Sequence, residues 1–423
     1  MDSAGGRAGR PNIVIILADD LGSADLGYCG GEIETPHLDR MAAQGVRFER
    51  FYSFPLCSPT RSALTTGRCG VPPEEHFLPE TFRAAGYRTA MAGKWHLGHA
   101  RVRYLPNSRG FEQSYGHLNG ALDYFKHVAD GGPDWHRNGK SLREEGYSTD
   151  LIADEAVRLF QGRDRGRPMF LHLPFNAPHG PMQAPERLLR KYASLPGPRR
   201  AYAAMVDALD AAVGRVMAAL DEEGLRQNTL VLFLSDNGGH LPAGSSNGSP
   251  RGAKATAFEG GIRVPALMLW PGRLGENVLA RQIATVMDVF PTLAAAAGVA
   301  PANRLPLDGR NLWSEIAGGK SVPREDLFFG VESRGMFRLA IFHDEWKVVR
   351  EASQTGEASD YLFRIAEDPN EKNDLAAKHP GVVKDLADRI DKWRFLHPPG
   401  GTRATDAPPP GWRPPAQWAE AAL

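Results

Sequence analysis

Four short stretches of this sequence end apolar runs in residues able to bind a metal ion or an anion: Asp19-Asp20, Gly93-Lys94-Trp95-His96, Asn176-Ala177-Pro178-His179 and Ser235-Asp236-Asn237-Gly238-Gly239. Taken singly, each has an ordinary reading as a turn or a helix cap. Taken together, Asp19, Asp20, Asp236 and Asn237 offer three carboxylates and an amide oxygen, a hard donor set suited to Ca²⁺ or Mg²⁺. Zinc would want thiolates or several imidazoles, and no paired Cys spacing supplies them. Lys94, His96 and His179 would suit a bound anion. Lys94 and His96 are two apart, so in an extended segment both side chains face one way. A divalent cation bordered by Lys and His is a site for a phosphate or sulfate ester.

Cys57-Ser58-Pro59-Thr60-Arg61 precedes a short helical stretch, Ser62–Gly67, which Ser58 and Pro59 open. Cys57 then sits at the positive end of a helix, where anions and thiolates are favoured. A buried structural cysteine is the alternative. A Cys-dependent phosphatase loop is excluded, because Cys-x5-Arg would need Arg where Ala63 stands, and Cys69 meets Glu75 at the same offset.

The elements that must position these residues alternate between strand and helix. Ile13–Ala18, Arg88–Ala92, Met169–Phe175, Leu230–Leu234 and Pro265–Trp270 read as buried strands. Thr35-Pro36 opens a helix that closes at Gly45, and Ser148 caps another that ends at Gly162. The longest helix spans about 199–223, with Tyr202, Met205, Leu209, Val213, Val216 and Leu220 on one face. Such alternation predicts an α/β fold with a large, mostly parallel or mixed sheet flanked by helices. Ligands bind such sheets beyond the carboxyl ends of the strands, where all four stretches lie. After residue 320 the pattern changes to short strands at Leu327–Val331, Phe337–Phe342, Trp346–Arg350 and Tyr361–Ile365, followed by a helix over Gly381–Phe395. We read 1–320 as the catalytic α/β domain. Residues 321–423 read as an α+β subdomain with an antiparallel sheet and a Pro-rich tail.

A chain of 423 residues buries enough surface to fold without a staple, and three cysteines are too few for a disulfide framework. Equal counts of 50 basic and 50 acidic residues leave no global field to grip nucleic acid or an anionic membrane. No apolar run approaches a bilayer span, and residues 1–7 carry no apolar leader. The chain as written therefore reads as cytoplasmic, or as periplasmic or secreted if its N-terminus has been trimmed.

Cys57-x-Pro-x-Arg61 followed by Thr66-Gly67-Arg68 resembles the signature of the type I sulfatases, in the alkaline phosphatase superfamily. The strand-end motifs match that family in order, as do Arg251-Gly-Ala-Lys254 and the run from Glu259 through Arg263-Val-Pro. The Asp360–Leu375 segment is similar to a run common in sulfatase C-terminal domains. Within the family, Arg103–Tyr124 and Gly411-Trp412-Arg413-Pro414-Pro415 look most like arylsulfatase B-type enzymes.

The resemblance implies hydrolysis of a sulfate monoester by a formylglycine made from Cys57 by a maturase. It implies one Ca²⁺ per chain (Mg²⁺ as an alternative) held by Asp19, Asp20, Asp236, Asn237 and modified Cys57. Arg61 would hold the formylglycine, and Lys94, His179 and Lys254 would contact the sulfate. His179 or Lys254 would protonate the leaving alcohol, and His96 would act as the base that expels sulfate. Related phosphodiesterases and phosphonate monoester hydrolases form the alternative, as does an unmodified, inactive metal-binding homologue. The segment Cys69–Phe77 is shorter than the loop arylsulfatases carry there, which implies a more open pocket.

Several neighbours read as structural: Asp207 and Asp210 on the long helix, Trp95 as packing, and Glu259 and Arg263 as braces of the Lys254 loop. His240 lines the pocket at most. Cys29 and Cys69 read as inert thiols. Tyr115, His117, Asp123, Tyr124 and His136 are candidate pocket residues.

Overall fold

The strand Asn12–Ala18 (β1) is buried along its whole length, so both of its edges must be paired. The computed structural model, which describes residues 9–69, 75–301, 305–320, 323–333, 335–353 and 355–394, places it inside a ten-stranded sheet. In chain order there follow α1 (Pro36–Gln44), β2 (Val46–Phe48), α2 (Cys57–Thr66), α3 (Leu78–Ala84) and β3 (Arg88–Lys94). Next come β4 (Gln113–His117), β5 (His136–Arg137), β6 (Lys140–Ser141), α4 (Ser148–Gln161) and β7 (Met169–Pro174). Then come α5 (Gly197–Glu222), β8 (Thr229–Ser235), α6 (Glu259–Ile262), β9 (Ala266–Leu269) and β10 (Val278–Ala280).

The sheet order is β10-β2-β9-β8-β1-β7-β3-β4-β5-β6. Its centre, β8-β1-β7-β3-β4, is parallel. The flanks are not: β9 runs antiparallel to both β8 and β2, and β5 runs antiparallel to β4. The sheet is therefore mixed, and the 265–270 segment departs from the parallel pattern. No long crossover helix lies between Ser235 and Ala266, only a loop at the carboxyl end and the single turn of α6, so β9 re-enters the sheet from that end.

Alternation along β1 feeds two cores. Val14, Ile16 and Ala18 pack under α1, α4 and α5, against Leu38, Ile152, Leu159, Met205 and Leu209. Ile13, Ile15 and Leu17 face the side carrying α2 and α3, with Ala63, Leu64, Leu78 and Phe82. Two boundaries differ from the sequence reading. Helix α4 takes Tyr147 as its N-cap, and Ser148 is its first residue, bonded to the Asn176 amide (3.2 Å) rather than capping. Helix α2 begins at Cys57 itself, one residue before Ser58.

Beyond the large sheet, β11 (Leu327–Ser333), β12 (Met336–His343), β13 (Trp346–Ser353) and β14 (Ala358–Arg364) form the expected antiparallel sheet; the first three extend past their expected bounds, and the fourth starts three residues earlier and ends one earlier. One face, with Phe329, Phe342, Val349 and Phe363, packs on Tyr52, Ala257, Phe258 and Ile262. The other, with Leu339, Ile341, Val348 and Leu362, is covered by Leu386 and Ile390 of α7 (Pro380–Arg394). Residue 395, the Pro-rich tail with Gly411–Pro415, and most of the short 69–77 loop lie outside the described residues. No helix among the described residues is long and apolar enough to cross a membrane.

Candidate active site

Because β8, β1, β7 and β3 are adjacent and parallel, their carboxyl ends open side by side. The pairing runs on past the strands and fixes the residues that follow. Asp19 N bonds Ala177 O (3.1 Å), and Asp236 N bonds Ala18 O (3.0 Å). Asp20 then turns out of the sheet at φ 62°.

Three carboxylates and three cations interlock there. Asp19 accepts from Arg61 Nη2 (3.1 Å) and from the Lys94 ammonium. Asp236 accepts from Arg61 through Nη2 (2.7 Å) and Nε (3.1 Å). Asp20 pairs with Lys254 Nζ at 2.7 Å and faces His179 Nε2 at 3.7 Å. Arg61, Lys94, Asp19 and Asp236 are at most 2% exposed, so these charges persist only because they are paired. Burial would raise the Asp19 carboxyl, but Lys94, with His179, Arg61 and Lys254, holds it well below the usual range. Burial and the neighbouring Asp19 push Asp236 the other way. Burial also opposes the charge on Lys254, yet Cys57, Asp20 and Asp19 push its pKa up. The six formal charges cancel, so a divalent cation added here would leave a net positive site that favours an anion.

Cys57 points into this cage, its Sγ 3.5 Å from Asp19 Oδ1. The expectation that the helix end favours a thiolate does not hold: burial, then the Asp19 carboxylate, pushes the thiol pKa up. His96 is reached differently from the alternating strand expected. Trp95 and His96 continue to pair with β4's successors, through His117 O and Leu118 O, but His96 adopts φ 54°. Burial, with Lys94 and Arg61 nearby, keeps its imidazole well below the ordinary value, and its Nδ1 has no hydrogen-bond partner among the described residues.

The donor set fits a hard cation. Asn237 Nδ2 faces two acceptors, Asp20 Oδ1 (2.7 Å) and Gly238 O (2.9 Å), which fixes the amide orientation. Its buried Oδ1 has no hydrogen-bond partner among the described residues. Ligand atoms of Asp19, Asp20, Cys57 and His179 all lie within 4.8 Å of one another. His179 thus belongs to this group of candidate ligands, and Asp236 does not.

Supporting residues escaped the sequence reading. The Tyr202 hydroxyl donates to buried Asp25 (2.7 Å) and accepts from Gly22 N (3.1 Å), tying α5 to the turn that bears Asp20. Asp25 also takes Arg199 and the Ser246 amide. The Tyr124 hydroxyl lies 2.7 Å from both Asn176 O and His179 O, which makes it a brace of the His179 turn rather than a pocket residue. Tyr115, His117 and His136 are likewise buried, and Asp123 caps its own turn through Phe125 N and Lys126 N. A lone Tyr on an apolar helix face carries no sequence signal for such roles.

The structural readings hold in outline. Asp210 accepts from His37 N and Leu38 N at the start of α1, and Asp207 pairs with Lys191. Trp95 is buried against Phe77, and His240 is exposed. Cys29 and Cys69 are free thiols.

Comparison with known proteins gives a consistent result. Residues 11–299 match the family model described as Sulfatase. Arylsulfatase J of Mus musculus is 32% identical over 91% of this chain and 76% of its own length. Human arylsulfatase A is 33% identical over 91% of the chain and 87% of its own. Human N-acetylgalactosamine-6-sulfatase is 34% identical over 77% and 69%. Among solved structures, Ps i-CgsB in complex with k-i-k-neocarrahexaose superposes with a TM-score of 0.82 at 30% identity, covering 98% of both chains. The phosphonate monoester hydrolase of Agrobacterium radiobacter, at 21% identity and a TM-score of 0.67, shares the fold. On this evidence the chain belongs to the sulfatase family.

Proposed function

We propose that this sulfuric ester hydrolase attacks its ester through residue 57, after a maturase has oxidised Cys57 to formylglycine. The observation that carries the proposal is the position of Cys57, 3.5 Å from Asp19 in a cage that gathers Arg61, Lys94 and Lys254 around three carboxylates. The hydrated aldehyde would supply one hydroxyl to attack sulfur as the S–O bond to the alcohol breaks, and a second whose deprotonation expels sulfate by C–O cleavage and restores the aldehyde. Asp19, Asp20, Asp236, Asn237 and residue 57 would hold one Ca²⁺, which would supply Lewis-acid polarisation of the ester; Mg²⁺ would suit the same oxygens.

The chain's own residues do the rest. Arg61, clamped by Asp19 and Asp236, holds positive charge beside residue 57. Lys94, His179 and Lys254 bind the sulfate oxygens, where charge builds in the transition state. His179 or Lys254 protonates the leaving alcohol. His179 Nδ1 is occupied by Gly180 O (2.7 Å), which turns Nε2 toward Asp20 and the reaction. His96 takes the proton when sulfate is expelled, a role suited to a buried imidazole kept neutral.

The position of His96 gives a direct check. A β-carbon on Gly120 would lie 2.5 Å from His96 Nε2, so Gly120→Ala must displace the ring. Steady-state kinetics should show kcat/KM falling about tenfold to a hundredfold, as misplacement by an ångström does, with an unchanged melting temperature. Wild-type kinetics in that variant would remove His96 from the mechanism.

The substrate we propose is a sulfated saccharide. N-acetylgalactosamine-6-sulfatase and the oligosaccharide-bound Ps i-CgsB support that class. The division into a catalytic unit, 1–320, and a C-terminal unit, 321–423, is part of the same reading. Nothing in the comparisons supports a cytoplasmic location. An aryl sulfate assayed beside an aryl phosphodiester tests the reaction class: we expect the sulfate to turn over at least about tenfold faster by kcat/KM. A faster diester would move the chain to the phosphodiesterase branch of this fold.

A further inference from the structure

Outside the sulfate cage lies a second buried charge cluster, beneath the loop that carries Lys254. That loop is tied at several points: Asn247 Nδ2 donates to Gly252 O (3.3 Å), the Thr256 hydroxyl bonds Ala253, and Ala257 and Phe258 are buried. Lys254 N bonds Gly239 O (3.1 Å), Ala255 bonds Pro55 O (2.8 Å) at φ 68°, and Gly260 N bonds Arg251 O (2.7 Å). The fit against the metal-side turn is close: a β-carbon on Gly238 would meet Gly260 O at 1.9 Å. Small shifts of this loop therefore move Lys254 and the Asp236–Gly238 turn together.

The loop closes at Glu259, which Tyr52 and Arg263 share with two residues of the C-terminal part of the chain. Lys347 Nζ, on β13, reaches Glu259 Oε1 at 2.9 Å and Glu371 Oε1 at 2.8 Å. Glu371, beyond β14, accepts the Glu259 backbone N–H through Oε2 (2.7 Å). Tyr52 OH donates to Glu259 Oε2 (3.1 Å). Lys347 and Glu259 are fully buried and Glu371 is 2% exposed. The guanidinium of Arg251, at the loop's start, lies over Phe258 and Tyr361, 4.0 and 4.7 Å from the ring centroids.

Apolar packing alone would have joined the loop to the sheet. A buried ion triad contributes little net stability, but it tolerates little displacement, because separating one partner strands a charge in the interior. One ammonium shared by two carboxylates, with one of them also gripping a backbone N–H, fixes where the loop ends and so where Lys254 begins.

We infer that Lys347 and Glu371 are positioning residues for Lys254, so that the C-terminal sheet sets where the Lys254 ammonium meets the sulfate group. This rests on the reading that Lys254 binds sulfate. The test uses Glu371→Gln and Lys347→Met, each alone and combined with Lys254→Ala. The full chain is assayed for kcat and KM on an aryl sulfate and for inhibition by inorganic sulfate. We expect each single variant to lower kcat/KM by about tenfold or more and to weaken sulfate inhibition. In the Lys254→Ala background the same changes should add less than about threefold, because coupled residues are not additive. Glu371→Gln keeps the Lys347–Glu259 pair, so it carries the test if Lys347→Met fails to fold. Effects that multiply with Lys254→Ala, or single variants with wild-type kinetics and sulfate inhibition, would overturn the brace. Unchanged sulfate inhibition in Lys254→Ala itself would overturn the underlying reading, and the brace with it.

Discussion

Cys57→Ala eliminates aryl sulfate turnover while the chain stays folded. The side chain is buried and small, with a side-chain hydrogen bond to Asp19, so replacing the thiol with hydrogen removes one heavy atom from the packing. A thermal or urea transition within about 1.5 kcal/mol of wild type is expected, the range for deleting one buried heavy atom. Activity behaves differently, because removing a nucleophile from an assembled site costs on the order of 10⁴-fold or more. Burial, then the Asp19 carboxylate, pushes the thiol pKa up. A Cys57→Ala protein retaining a tenth or more of wild-type kcat/KM would remove residue 57 from the chemistry.

Removal of divalent cation is the second large effect. Treatment with a chelator should abolish turnover, and added Ca²⁺ should restore it. Calcium should also raise the melting temperature, because an ion that binds only the folded chain stabilises it by about 2.7 kcal/mol at a hundredfold excess over its dissociation constant. Asn237→Ala isolates the contribution of one oxygen without stranding a charge, since the amide bonds only Asp20 and Gly238 O through its nitrogen. That variant should need at least about tenfold more Ca²⁺ to reach half of its maximal thermal shift, in line with the loss expected from one ligand. Asp19→Ala is a harsher change: it takes the carboxylate from buried Lys94, while Arg61 keeps Asp236, and an uncompensated buried charge destabilises by about 3–5 kcal/mol. A metal-free protein with full activity, or an Asn237→Ala protein with the wild-type calcium response, would contradict the assignment.

These residues were legible because the rule that reads them is local. A buried strand can be recognised from its own side chains, and the polar residue after it must then sit at the sheet's edge; Asp19, Lys94, His179 and Asp236 all follow that rule. Where a prediction needed the third dimension, it failed or was absent. The alternation that set Lys94 and His96 on one side gave way to positive φ at His96. The helix-end argument for Cys57 took no account of the Asp19 carboxylate, which arrives from 38 residues away. Strand β9 runs antiparallel because of a loop whose path no periodicity encodes. The pairs Tyr202–Asp25 and Lys347–Glu259 join residues 177 and 88 positions apart, and nothing local in either sequence marks the partner.

An aldehyde at position 57 can be weighed: the intact mass of the proteolytic peptide spanning Cys57, taken from protein made in its native host, is compared with the aryl sulfatase activity of the same sample. The peptide is expected to carry formylglycine in place of cysteine, with activity rising in proportion to the converted fraction. A fully active sample whose peptide contains only the free thiol would contradict it.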